Sequence, residues 1–256
     1  MHKYCFFVFL FVGPALSAQS ALIMQEASDI ASVDIVQLPK QNNALLKVNA
    51  AHKAFGHLIF AKEIKKRINA LERGTWESIS NGNELWRLRL KSEGATSLNL
   101  TFDKYFLPKG SSLIIYSADQ SYVVGPFTDY DNRNDRILWT PIIPYDEVIL
   151  ELQISQGQAT NLQLEIGQIN HGFEDFTAKA LTQACHLDVA CGIEDGYPQV
   201  EKFRDAIRSV GVYTIEGTRL CSVALINNVR QDCRPLFLTA NHCGVTTSNA
   251  SSVVVH

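Results

Sequence analysis

From residue 86 onward the chain alternates between apolar and polar positions. Trp86, Leu88 and Leu90 are separated by Arg87 and Arg89, and Leu98, Leu100 and Phe102 by Asn99 and Thr101. Val148, Leu150 and Leu152 are interleaved with Ile149 and Glu151, and Leu162, Leu164 and Ile166 repeat the period. A two-residue period puts every second side chain on one face of a strand, so these segments predict half-buried β-strands. Shorter strands are predicted over 112–116 and 137–140. Residues 60–68 fit a helix through Ile64, Ile68 and Leu71 and a strand through Phe60, Ile64 and Ile68; the strand is preferred. Turn chemistry separates the runs at Asn81-Gly82-Asn83, Pro108-Lys109-Gly110, Gly125-Pro126 and the polar stretch 129–135. Short alternating strands at this spacing predict an antiparallel β-sandwich. Residues 22–55 show no comparable pattern.

A different segment begins near residue 180. A short helix is predicted over 199–208, with Val200, Phe203 and Ile207 on one face. Strands are predicted over 209–215, 221–226 and 236–239, and 253–255 reads as the start of a fourth. The fold class expected for the whole chain is all-β.

Residues 1–18, MHKYCFFVFLFVGPALSA, combine a basic Lys3, a short apolar run, a Gly13-Pro14 break and small residues. This is the form of a cleaved secretory signal, cut between about residues 17 and 21. The run is shorter than the roughly 20 apolar residues a spanning helix needs, and no later stretch is longer. The expectation is a secreted protein, extracellular or periplasmic, with no membrane contact after signal removal.

Composition removes some classes. Hydrophobic residues make up 46% of the 256, enough for sizeable cores, and the formal net charge of −3 supplies no field to hold a phosphate backbone. Nucleic acid is therefore not an expected partner. Cys5 leaves with the signal; the others, Cys185, Cys191, Cys221, Cys233 and Cys243, all lie beyond residue 180. In an oxidising compartment such a cluster forms disulfides rather than binding metal, and its distribution marks a domain boundary near 180. Five is an odd number, so one thiol stays free or has a partner elsewhere.

The sharpest local pattern is Phe237-Leu238-Thr239-Ala240-Asn241-His242-Cys243-Gly244. A strand ends in a small-residue turn that carries a histidine, followed at once by a cysteine. This suits a general base, since a disulfide at Cys243 would hold the imidazole within about 0.5 Å of its working position. Cys221, 22 positions upstream on the preceding predicted strand, is the natural partner. No metal or other cofactor is expected. The run 129–135 lacks the glycine and terminal glutamate of an EF-hand loop and reads as a polar turn. Cys233, His242, Cys243 and His256 match no usual zinc spacing.

The Thr239-Ala240-Asn241-His242-Cys243 run resembles the motif that holds the catalytic histidine in chymotrypsin-like serine proteases. More of the chain resembles one branch, the secreted bacterial lysyl-endopeptidase-like proteases. The resemblance is carried by Cys185-His186-Leu187-Asp188-Val189-Ala190-Cys191, Ile207-Arg208-Ser209-Val210, Cys221-Ser222-Val223-Ala224-Leu225-Ile226-Asn227-Asn228 and the histidine run, in that order. Upstream, Trp86-Arg87-Leu88-Arg89-Leu90, Gly125-Pro126-Phe127-Thr128, Leu138-Trp139-Thr140-Pro141 and Asn170-His171-Gly172 are similar to that branch's long pro-region.

The resemblance implies three parts: a signal at 1–18, a sandwich pro-region at 19–179, and the start of a trypsin-like domain at 180–256, the incomplete first half of a double β-barrel. It implies that His242 is the general base of a Ser-His-Asp triad, with a possible preference for cleavage after lysine in protein or peptide substrates. Cys221 and Cys243 match a family disulfide, whereas Cys185 and Cys191 match cysteines whose partners lie beyond residue 256. Cys233 departs from the pattern, pairing with an extra downstream cysteine or staying free. Activation is expected between Lys179 and Ala180, with the pro-region packing on its own protease domain. No GDSG-like or GSSG-like run occurs in the 256 residues. The chain as given is therefore expected to be inactive, the front of a protease zymogen. The alternative is a non-catalytic secreted β-sandwich that binds or inhibits.

Overall fold

The computed structural model describes residues 29–51, 58–79, 82–175, 193, 197–230 and 232–256. The expected signal at 1–18, the processing pair Lys179 and Ala180, and Cys185 and Cys191 lie outside the described residues. In chain order the strands begin with β1 (Ile35–Gln37), followed by helix α1 (Asn43–Ala51) and then β2 (Leu58–Ile59), β3 (Ala61–Asn69), β4 (Thr75–Ser78), β5 (Asn83–Lys91) and β6 (Ser97–Phe106). Next come β7 (Ser112–Ser117), β8 (Val123–Thr128), β9 (Leu138–Trp139), β10 (Glu147–Ser155) and β11 (Gln163–Gly172). After a 3-10 turn (Pro198–Phe203) and a short helix α2 (Arg204–Arg208) follow β12 (Val210–Ile215), β13 (Arg219–Ile226), β14 (Leu236–Leu238) and β15 (Val254–Val255). The protein is all-β, as the alternation predicts.

Two sheets form the sandwich. One runs β1-β5-β10-β7-β8, with β4 also on β5; the other runs β3-β11-β6-β9. Pairing is antiparallel except between β1 and β5. The alternating residues meet between the layers: Leu88, Leu90, Leu150 and Leu152 of the first sheet share one buried cluster with Leu98, Leu100, Phe102, Leu164, Ile166 and Ile169 of the second. The helix-or-strand ambiguity at 60–68 resolves as β3. It is an edge strand, and its cluster of Lys62, Lys65, Lys66 and Arg67 discourages edge-to-edge pairing.

Several expectations need correction. Gly125 and Pro126 form no turn between strands but lie inside β8. Proline is tolerated there because β8 is an edge strand, and its ladder to β7 shifts register between Leu113 and Ile115. The 199–208 helix is broken into the 3-10 turn and α2, and the proposed apolar face is not a core face, since Phe203 is 60% exposed. Within 22–55, where no pattern was read, α1 forms; Asn42 Oδ1 accepts from Leu45 N at its start, and of its residues only Ala50 is buried. The polar stretch 129–135 is indeed a turn, beginning with a 3-10 helix (Asp129–Asp131) capped reciprocally by Thr128 and Asp131.

The third sheet runs β14-β13-β12-β15, with β2 also on β13. Among the described residues it does not close on itself. It has its own small cluster of Tyr213, Ile215, Val223 and Cys243.

Candidate active site

His242 sits in a 3-10 turn (Asn241–Cys243) directly after β14. Three local devices hold that turn. Cys243 is buried and joined by a disulfide to Cys221 of β13, with the Cα atoms 6.0 Å apart. Thr239, at the end of β14, donates from Oγ1 to the Ser222 carbonyl at 2.9 Å, and its oxygen lies 2.8 Å from the Tyr213 hydroxyl. Gly244 ends the turn at φ +75°, a left-handed conformation that suits glycine.

The far side of the turn is also tied. Asn249 Nδ2 donates to the Gly244 carbonyl at 3.0 Å, while Asn249 Oδ1 accepts from Thr246 N at 2.7 Å. Ser252 donates to the Asn249 carbonyl at 2.6 Å and accepts from Glu216 N at 2.9 Å. A continuous set of hydrogen bonds thus runs from the β12–β13 turn to the histidine loop. His242 is exposed.

Ligand atoms of Cys221, His242 and Cys243 lie within 4.8 Å of one another, but the two sulfurs are bonded together. Neither is a thiolate, so this group does not offer a zinc ligand set. Cys233 is disulfide-bonded within this chain, which corrects the expectation that it is free or pairs further downstream.

The structure brings together His242, Cys221 and Cys243 as the sequence proposed. Reading the sequence did not find Asn249, Ser252 or Glu216. Asn249 precedes the 3-10 turn Ala250–Ser252 without capping it, and its side chain reaches back to Gly244 and Thr246 instead.

Residues 32–173 match the family model described as the lysyl endopeptidase N-terminal domain, and residues 180–256 match the lysyl endopeptidase C-terminal domain. A lysyl endopeptidase of Pseudomonas aeruginosa is 23% identical over 181 residues, covering 66% of this chain and 39% of that protein. The chain thus spans about two fifths of the length of this curated relative. No solved structure gives a match of similar significance. Among the described residues no helix is long and apolar enough to cross a membrane.

Proposed function

The chain belongs to the lysyl endopeptidase family, and from that premise we propose that it carries the pro-region and the catalytic histidine of a secreted serine endopeptidase zymogen. In this reading residues 19–179 are the pro-region and 180–256 open the catalytic domain. His242 is the general base: it takes the proton from a serine hydroxyl as that oxygen attacks the scissile carbonyl, then returns it to the leaving amine. The aspartate that orients the imidazole and the serine nucleophile are assigned to no residue of these 256. Substrates are proteins or peptides, cut after lysine.

The observation that carries this reading is the anchoring of an exposed His242 by the Cys221–Cys243 disulfide and the Thr239 hydrogen bonds. A general base must be positioned before it is useful. The test is secretion of the full reading frame that contains these residues, assayed on peptide amides ending in lysine, arginine or leucine. Cleavage after lysine is expected, with a loss of at least about 1,000-fold in His242→Ala, as for removal of a triad member. Undiminished cleavage by His242→Ala would sink the assignment.

One observation favours a second reading. Among the described residues, the buried cluster of the sandwich lies between Val36 and Ile169 and includes no residue of the third sheet. A sandwich that folds alone could act as a non-catalytic binding or inhibitory module. Residues 29–175 purified alone should then inhibit a cognate lysyl endopeptidase.

A further inference from the structure

Asn99 of β6 and Asn170 of β11 are cross-strand partners on the second sheet. Alternation puts them on the face opposite Leu98, Leu100 and Ile169, the outer face of the sandwich. Outward asparagines are ordinarily solvated, yet Asn99 is 1% exposed and Asn170 0%. They are covered by the turn between β12 and β13. Asn170 Nδ2 donates to Asn99 Oδ1 at 2.6 Å, and Asn99 Nδ2 donates to the Gly217 carbonyl at 3.0 Å. Gln168 Nε2 bridges Asn170 Oδ1 at 2.8 Å and the Glu216 carbonyl at 3.2 Å.

Other contacts follow the same rule. Phe60 N donates to the Thr218 carbonyl at 3.0 Å, and Arg133 Nη1 to the Ser251 carbonyl at 3.1 Å. Leu58 and Ile59 add a short antiparallel strand to the edge of β13, opposite Leu220 and Arg219. In these side-chain contacts the sandwich donates and the third sheet accepts through main-chain carbonyls. Such recognition depends on the shape of a backbone rather than on side chains.

The turn itself supplies the shape. Glu216 and Gly217 have φ of 51° and 66°, and Thr218 N closes the turn on the Ile215 carbonyl at 3.2 Å. A Cβ at residue 217 would lie 2.1 Å from Asn170 Nδ2 and 2.5 Å from Asn99 Oδ1. Only glycine lets the turn enter.

We propose that Asn99, Asn170 and Gln168 form a docking socket for a glycine-containing hairpin turn, and that its occupant is the Glu216–Gly217 turn of this chain's own third sheet. The socket holds the two parts together without a covalent link, so they stay associated after the chain between them is cut. Through Glu216, Ser252 and Asn249 it also braces the loop that carries His242. The proposal deepens the pro-region reading, but its readout is association rather than proteolysis, so failure of the catalytic assignment leaves it standing.

The test uses the full chain with a specific protease site introduced between residues 175 and 185. After cutting, the two pieces of the unmodified chain should co-elute on size exclusion under non-reducing conditions. Gly217→Val should separate them, with the dissociation constant raised about 100-fold or more, as expected when buried amide groups lose their partners. Should that variant not fold, the paired surface changes Gln168→Ala and Arg133→Ala should weaken association in the same assay. Hydrogen exchange on the uncut chain should show the amides at 216–219 protected. Separation of the unmodified pieces, or unchanged association in all variants, would overturn the proposal.

Discussion

Cys221 on β13 and Cys243 in the histidine turn are bonded to each other, so the residue that follows His242 is tethered to the middle of the third sheet. The bond closes a loop of sequence separation 22 that contains the whole of β14. In the unfolded chain such a loop carries considerable freedom, and closing it in advance removes that entropy.

Replacing both cysteines, Cys221→Ala with Cys243→Ala, is therefore expected to destabilise the third sheet by about 3 kcal/mol. Thermal melting of the double variant, compared with the parent with and without reductant, measures the loss. Equal midpoints for the two proteins under oxidising conditions would contradict it.

His171 gives a pH dependence of known sign. It is fully buried, with Nδ1 2.7 Å from the Ser92 hydroxyl and Nε2 2.8 Å from Asn43 Oδ1. Burial holds its pKa below the ordinary histidine value, partly opposed by the charge of Asp146. As pH falls below about 6.5, the unfolded chain takes up a proton that the folded chain refuses, so stability falls with acidification. The urea midpoint should drop between pH 7.5 and pH 5.5. In His171→Gln this slope should flatten, and a slope unchanged by that substitution would refute the assignment.

Arg87 is buried on the outer face of the first sheet and pairs with Glu77 at 2.6 Å. Burial pushes the nearby Glu151 carboxyl up, a tendency opposed by its hydrogen bond from Tyr116 and by the Arg87 charge. Arg87→Ala strands these carboxylates and should cost roughly 3–5 kcal/mol. Lys40→Ala, which breaks the exposed pair with Glu93, should leave the denaturation midpoint where it was. Similar midpoints for the two variants would show that the buried pair carries no such weight.

Processing after Lys179 can be checked directly. Amino-terminal sequencing of the secreted product of the full reading frame should begin at Ala180, and Lys179→Gln should retain the longer form. A mature terminus elsewhere would exclude this site.

The parts of the fold that were legible share one cause. Trp86, Leu88 and Leu90, like Leu98, Leu100 and Phe102, must all reach one core, and only a period of two lets a strand do that. The elements that escaped notice place few residues in that core. In α1 only Ala50 is buried and Leu45 and Val48 are each 55% exposed, so the helix turns no continuous apolar face to a core. β1 and β4 are short segments that share one edge of β5, and three or four residues are too few to display a period. Phe203 misled because helical spacing creates a face without specifying anything to cover it.

The same limit divides the candidate site. Sequence alone determined that a histidine stands in a small-residue turn after a strand, with a cysteine beside it and another on the preceding strand, because these are local properties of spacing and residue type. Alternation with Leu98 and Leu100 also turned Asn99 away from the sandwich core, whereas Asn170 reaches that face only because the β11 ladder shifts register between Ile166 and Gln168. Only the tertiary structure decided that this outer face is covered, that Asn99 is spent on the carbonyl of Gly217, 118 residues further along the chain, and that Asn170 is spent on Asn99. Alternation settles which face of a strand a side chain joins; what lies against that face depends on contacts between distant parts of the chain, and those leave no period to read.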